Sequence, residues 1–130
     1  MLKIRASDGT RLGKFPTGTS PSDIAYDGAY LWVTNNGDGT GTVSKIRASD
    51  GVTVATYPTG AVSSGVAFDG ANIWVLNVNA STVTEFRAFD GAVEGTYQTG
   101  TTPTGIAFDG TNMWVINTNG GLVAGGVSKL

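Results

Sequence analysis

Short apolar runs alternate with polar, glycine-rich breaks along the whole chain. Residues 64–68, 72–77, 82–88 and 93–98 are four such runs in succession. They are rich in Val, Ile, Phe, Trp, Tyr and Thr, which suit a pleated, half-buried surface. No window sustains the 3.6-residue apolar period that a helix needs. Asp-Gly separates the first run from the second and the third from the fourth, where a tight hairpin asks for positive φ. The pattern therefore predicts four strands, A to D in chain order, joined by short turns. In the preceding copy strand D is read at residues 52–58.

The pattern recurs. Trp32, Trp74 and Trp114 stand 42 and 40 residues apart, and Arg5, Arg47 and Arg87 keep the same spacings. The Asp-Gly pairs at Asp27, Asp69 and Asp109 follow suit, as does PTG at Pro16 and Pro58, which returns as QTG at Gln98. The units run at about residues 5–46, 47–86 and 87–130. A unit of about 40 residues with four strands each reads as one blade of a β-propeller. Each Trp falls in mid-strand B, where its ring can fill the space between neighbouring sheets. The expected fold is all-β: a single propeller segment over residues 1–130, with three four-stranded blades of about 42 residues.

The stretches GVAFDGANIWVLN, STVTEFRAFDG and GTYQTGTTPTGIAFDG resemble blades of bacterial YVTN/NHL-type propellers, including those similar to virginiamycin B lyase. The resemblance covers essentially the whole chain, and its shared words are structural. It implies a propeller. The lyase activity that it also suggests would rest on a histidine base and a divalent metal, and this chain has no histidine.

In register, VSKL at residues 127–130 repeats the place of MLKI at residues 1–4. The chain is thus expected to start and stop inside strand C, with its last blade split between the two termini. Single-ring propellers have 4 to 8 blades, so three cannot close. The expected remedy is strand complementation between copies: a homodimer with six blades, favoured over a trimer with nine; the alternative is that the chain is a piece of a longer repeat array. Exposed blade faces on an open wedge would otherwise leave large apolar patches in water.

Composition narrows the chemistry. Eight basic and ten acidic residues leave a net charge of −2, and no basic patch suggests nucleic acid. Without cysteine there is no disulfide or thiolate metal site. The N-terminal residues lack an apolar leader, and no run reaches membrane-spanning length. This reads as a soluble chain, with no membrane partner and no assigned compartment. No cofactor and no metal are expected.

The turn aspartates Asp8, Asp50, Asp90, Asp27, Asp69 and Asp109 each precede glycine and are read as caps of their own backbone rather than as acid/base pairs. With Trp32, Trp74 and Trp114 they form the structural repeat. The B–C loops differ in length and composition, at residues 35–42, 77–82 and 117–126. Varied loops on a fixed scaffold are where binding sites arise, so Asn36, Asp38, Asn79 and Asn119 are candidate ligand contacts. Asn36, Asp38 and Thr40 are only a faint match to a calcium loop, because the acidic spacing and the bidentate Glu are missing. Asn35, Asn77 and Asn117 recur at the end of strand B and are read as satisfying loop backbone. Asn79-Ala80-Ser81 has the form of a glycosylation sequon and is read as chance. Asp23 replaces Gly65 and Gly105 in strand A and is expected to project toward the central channel, a further candidate ligand contact.

The functional expectation is a non-catalytic binding or scaffold module that assembles into a symmetric ring, not an enzyme. A carbohydrate-binding propeller is the alternative, with Tyr30 and Phe89 as its candidate aromatic contacts. A lyase of the virginiamycin B type is the more distant one.

Overall fold

Hydrophobic alternation and Asp-Gly turns organise the chain into thirteen strands among the described residues, which are 1–118 and 126–130 in this computed structural model. They are β1 (Leu2–Ile4), β2 (Arg11–Lys14), β3 (Pro21–Tyr26), β4 (Tyr30–Asn35), β5 (Thr42–Arg47), β6 (Thr53–Pro58), β7 (Ser63–Phe68), β8 (Asn72–Asn77), β9 (Thr82–Arg87), β10 (Val93–Gln98), β11 (Pro103–Phe108), β12 (Met113–Asn117) and β13 (Gly126–Lys129). A 3-10 turn at Gly37–Gly39 lies within the first B–C loop.

All pairing is antiparallel. Strands β3 to β6 form one four-stranded sheet and β7 to β10 the next. Strands β11 to β13 form a three-stranded sheet and β1 pairs with β2 alone. Among the described residues the third sheet thus has three strands, in the places of A, B and C, and β1–β2 has two, in the places of C and D. The chain is all-β and is built from propeller blades.

Strand ends differ from expectation by a residue, and turn hydrogen bonds explain it. Strand C ends at Arg87 rather than at 88, because Arg87 N–H donates to Ala92 O and Gly91 N–H to Arg87 O to close the turn. Strand D begins at Thr53 because Val52 O accepts from Arg47 N–H in the equivalent turn. The turn glycines hold positive φ as expected: Gly28 and Gly70 lie at 102° and 103°, and Gly51 and Gly91 at 73° and 74°.

Sheets pack face to face in chain order. Trp32 and Val43 of the first meet Val66, Ile73, Val75 and Phe86 of the second in one buried cluster. Leu76 and Val83 of the second meet Val115 of the third in another. Each large apolar side chain so buried contributes about 1.5–3 kcal/mol. Trp32 stacks on Tyr57 of its own sheet at 5.9 Å, and Tyr57 meets Phe86 of the next sheet at 6.3 Å.

The inner strands are stitched together by a repeated device. β3, β7 and β11 each carry a register shift, between Pro21 and Asp23, Ser63 and Val66, and Pro103 and Gly105. Such a shift re-aims one side chain. In β3 and β7 the re-aimed residue is a serine: Ser22 Oγ donates to Ser63 O at 3.0 Å, and Ser64 Oγ to Pro103 O at 2.8 Å.

Candidate functional site

The face made by the A–B and C–D turns shows how the conserved-looking words within the chain are used. Asp27 Oδ1 accepts from Ala29 and Tyr30 N–H, and its Oδ2 accepts from Trp32 Nε1 at 2.7 Å. Asp69 does the same for Ala71, Asn72 and Trp74, and Asp109 for Thr111, Asn112 and Trp114. The aspartates cap their turns as expected and also hold the tryptophan ring by its N–H. That second role was missed, although the constant five-residue step from Asp to Trp signals it. For Asp109 the Trp114 indole N–H, followed by the backbone N–H groups of Asn112 and Thr111, keeps the carboxyl well below the usual carboxylate range.

At the C–D turns, ion pairs join Arg5 to Asp8, Arg47 to Asp50 and Arg87 to Asp90. The recurring Arg-x-x-Asp spacing carries them. Asp90 is lowered to about 2, first by the Arg87 guanidinium and then by Ala92 N–H. Asp8 is lowered as well, mainly by Thr10 N–H.

Between the first two sheets this face opens into a groove of about 410 Å³, lined by Asp27, Tyr30, Lys45, Phe68 and Phe89 among others. Lys45 is only 7% exposed. Its ammonium donates to Ala88 O at 2.6 Å and to Phe89 O at 3.3 Å, and sits 4.4 Å from the Tyr30 ring centroid. A buried cation is tolerated when carbonyl oxygens and π faces replace its water. Phe89, by contrast, is 88% exposed at the groove rim. The corresponding places in the next sheet hold Asn72 and Glu85, which bond each other at 2.6 Å, and Glu85 also accepts from Tyr97 Oη at 2.9 Å. That bond to Glu85 raises the Tyr97 pKa. The groove therefore gathers Tyr30, Lys45 and Phe89 at positions where the copies diverge. Tyr30 and Phe89 are the candidate aromatic contacts of the carbohydrate-binding alternative. Lys45 was not among the candidates, because its partners lie in another sheet, 43 and 44 residues away.

The B–C loop face is less concentrated. Asn36 Oδ1 accepts from Ser63 N–H at 2.8 Å, anchoring its loop to the next sheet. Asp38 lies in the 3-10 turn. Asn79 is exposed in the second loop, and Asn119 lies outside the described residues. Asn35 Nδ2 donates to Ser44 Oγ at 3.0 Å and Asn77 Nδ2 to Thr84 Oγ1 at 2.9 Å. These amides clamp strand B to hydroxyls of strand C rather than to loop backbone. No cluster of three or more acidic metal ligands occurs among the described residues.

Asp23 sits on inner strand β3, and its carboxylate is engaged on both oxygens. Oδ1 accepts from Ile24 N–H at 2.8 Å, and Oδ2 from Val66 N–H of the neighbouring inner strand at 2.9 Å. It joins two sheets across the inner edge, and the structure does not bring it together with Asn36, Asp38 or Asn79 in one site.

No protein-family model matches the chain, and no curated protein does. Solved structures do. A functionally unknown protein from Desulfotomaculum acetoxidans is 18% identical with a TM-score of 0.77, over 99% of this chain and 43% of that one. Hydrazine synthase of Kuenenia stuttgartiensis is 21% identical with a TM-score of 0.67, over 85% and 32%. The PQQ-bound aldose sugar dehydrogenase of Streptomyces coelicolor is 15% identical with a TM-score of 0.65, over 84% and 42%. This chain spans less than half the length of each of these proteins. At these identities the likeness is one of fold, and the narrower resemblance to YVTN/NHL-type blades is carried no further than that.

Proposed function

We propose that this chain is a non-catalytic propeller module for binding and scaffolding, closed into a six-bladed ring by a second copy. The observation that supports the non-catalytic half is the occupation of seven of its ten acidic residues. Asp23, Asp27, Asp69 and Asp109 each hold two or more donors of their own fold, and Asp8, Asp50 and Asp90 pair with arginines. A general acid or base needs a proton it can exchange with substrate, and these carboxylates are committed to turns, rings and neighbouring strands.

Aldose oxidation with added PQQ and an electron acceptor is the direct test, because a protein of this fold carries that chemistry. The expected rate equals that of buffer with PQQ. A protein-dependent rate that drops on Asp23→Asn would overturn the reading. Ring closure is read separately by light scattering after size exclusion, where twice the 13.3 kDa chain mass is expected.

One observation favours a carbohydrate as the ligand: the Tyr30 ring and the exposed Phe89 flank one groove together with Lys45. Aromatic faces beside a few polar groups suit a ring with both C–H and O–H faces. Titration with neutral and acidic oligosaccharides, followed by tryptophan fluorescence, should show saturation that Phe89→Ala abolishes. Equal response from the Phe89→Ala protein would remove the groove from consideration.

A further inference from the structure

Two series of contacts run from sheet to sheet and a third runs within each sheet, and each has a last member with no counterpart among the described residues. Phe15 of β1–β2 packs where a Cβ on Gly51 would stand, and Tyr57 packs likewise on Gly91. A Cβ on Gly9, the same turn position one unit earlier, would meet nothing within 4 Å among the described residues. Tyr97, the next aromatic after Phe15 and Tyr57, is 41% exposed. Ser22 and Ser64 bond to the carbonyls of Ser63 and Pro103. Thr104 holds the same place in the third register shift and is exposed, and Pro21 carries the matching carbonyl at the other end. In the third series the D strands β6 and β10 pair with the C strands β5 and β9, while among the described residues β13 has only β12 beside it.

The partner these ends fit is the chain itself. Tyr97 of one copy matches Gly9 of a second, Thr104 matches the Pro21 carbonyl, and the outer edge of β13 matches β2. Every surface required at one end is present at the other, so two copies satisfy two identical seams and the contact closes.

One strand stands in the way. β1 pairs with β2 in the register Leu2 with Lys14, Lys3 with Gly13 and Ile4 with Arg11. Strand C meets strand D identically in the first full sheet: Ser44 with Thr56, Lys45 with Ala55 and Ile46 with Thr53. β13 holds the strand-C register on β12, with Lys129 opposite Trp114 as Lys45 is opposite Trp32. β1 and β13 therefore ask for the same place beside one β2. The fit is unequal. At the register of Ser44 and Thr84, whose hydroxyls accept from the buried Asn35 and Asn77 amides, β13 has Ser128 and β1 has Leu2.

We infer that a second copy closes the ring by laying its β2 on β13, and that residues 1–4 are a competitor in cis that leaves β2 when this happens. This rests on the ring reading above. In the separate chain, β1 covers an edge that would otherwise be open to any strand. In the assembly, its departure is a cost on the competent state, so the apparent affinity is lowered by the fraction of chains with β2 free.

Ser128 then faces Lys14 of the second copy, as Ser44 faces Thr56. The test is the protein carrying Lys14→Cys and Ser128→Cys, oxidised at low concentration; the natural chain has no cysteine to interfere. A covalent dimer is expected, with Lys14→Cys alone giving none. A protein that is dimeric by light scattering but does not cross-link keeps the ring and overturns the strand exchange. A protein monomeric by light scattering at all concentrations overturns the ring as well. A covalent trimer would keep the seam and overturn six-blade closure. Deleting Leu2–Ile4 is the independent check: it should tighten the dimer by roughly ten-fold or more. Loss of the dimer on that deletion would mean that β1 keeps the place and β13 is the strand displaced.

Discussion

The middle of this molecule and its two ends are written in the same words, yet they are buried differently. Trp32 is 0% exposed and Trp114 is 39% exposed. Ile46, on β5, is 0% exposed, whereas Ile4, at the same register on β1, is 52% exposed. Sequence sets which side chains are offered to a neighbouring sheet, and the presence of that neighbour sets the burial. Between the first and second sheets the offer is met by Tyr57, Phe86 and Val66. Among the described residues the third sheet has no fourth strand, and so no counterpart of Tyr57 in the same sheet.

The largest expected effect follows from that contrast. Trp32→Ala should destabilise the chain by about 3–5 kcal/mol, the cost of a large aromatic removed from a closed core. Trp114→Ala should cost less than half of that in urea unfolding at low protein concentration. If a second copy brings its Phe15 to Trp114 as Tyr57 comes to Trp32, the two losses should converge as concentration rises. Equal losses at every concentration would erase the distinction between middle and end.

Glycines sharpen the comparison. Gly9 and Gly91 occupy the same turn position with φ of 75° and 74°, but only Gly91 has a tyrosine ring against it. Gly9→Ala should cost about 1 kcal/mol through backbone strain alone. Gly91→Ala should cost about 1–3 kcal/mol more, because the Tyr57 ring must also move. Thermal unfolding of the two variants measures the difference directly, and a dimer-specific loss for Gly9→Ala would place a ring against it in the assembly.

These cases also show what could be read from residues alone. Period, strands and turns were legible, because they depend on spacing within one unit. The Asp27–Trp32 bond was within reach for the same reason, as a fixed local step. The Lys45 ammonium on the Ala88 carbonyl, Asn36 on Ser63 N–H and Asp23 on Val66 N–H were not legible. Each joins two units, and neither partner differs in type from an ordinary surface residue until the sheets are stacked. Asp23 illustrates the point: its place on an inner strand could be read, whereas its capture by the next strand could not.

Lys45 and Glu85 test the divergence between the two sheets at a smaller scale. Lys45→Met keeps the stem and removes the donor, leaving the Ala88 carbonyl without its 2.6 Å partner. A loss of about 1–3 kcal/mol is expected. Glu85→Gln keeps an oxygen for Asn72 and turns an NH2 toward the Tyr97 hydroxyl, which can accept as well as donate; the place is more open, and a change within about 0.5 kcal/mol is expected. Denaturant midpoints for both variants check this. Similar losses would mean that the two places do equivalent work in spite of their chemistry.

The smallest effect concerns acid stability at the ends of the C strands. The Asp90 carboxyl is lowered to about 2 by Arg87 and Ala92 N–H, against about 3.9 in an unfolded chain. A carboxyl with a depressed folded pKa binds fewer protons in the native state, so it stabilises fully above the unfolded value. That contribution fades as pH falls from about 4 toward 2. Arg87 also contacts Glu94, 3.1 Å away, so removing Asp90 leaves the guanidinium one carboxylate. Asp90→Asn should therefore leave the melting temperature nearly unchanged at pH 2 and lower it slightly at pH 7, flattening the slope between them. The pair is solvent-exposed on both sides and screened by salt, so the flattening should itself shrink as ionic strength rises. A slope that persists unchanged in Asp90→Asn would assign the acid sensitivity to the other lowered carboxyls, Asp8 on its Thr10 N–H and Asp109 on the Trp114 indole N–H.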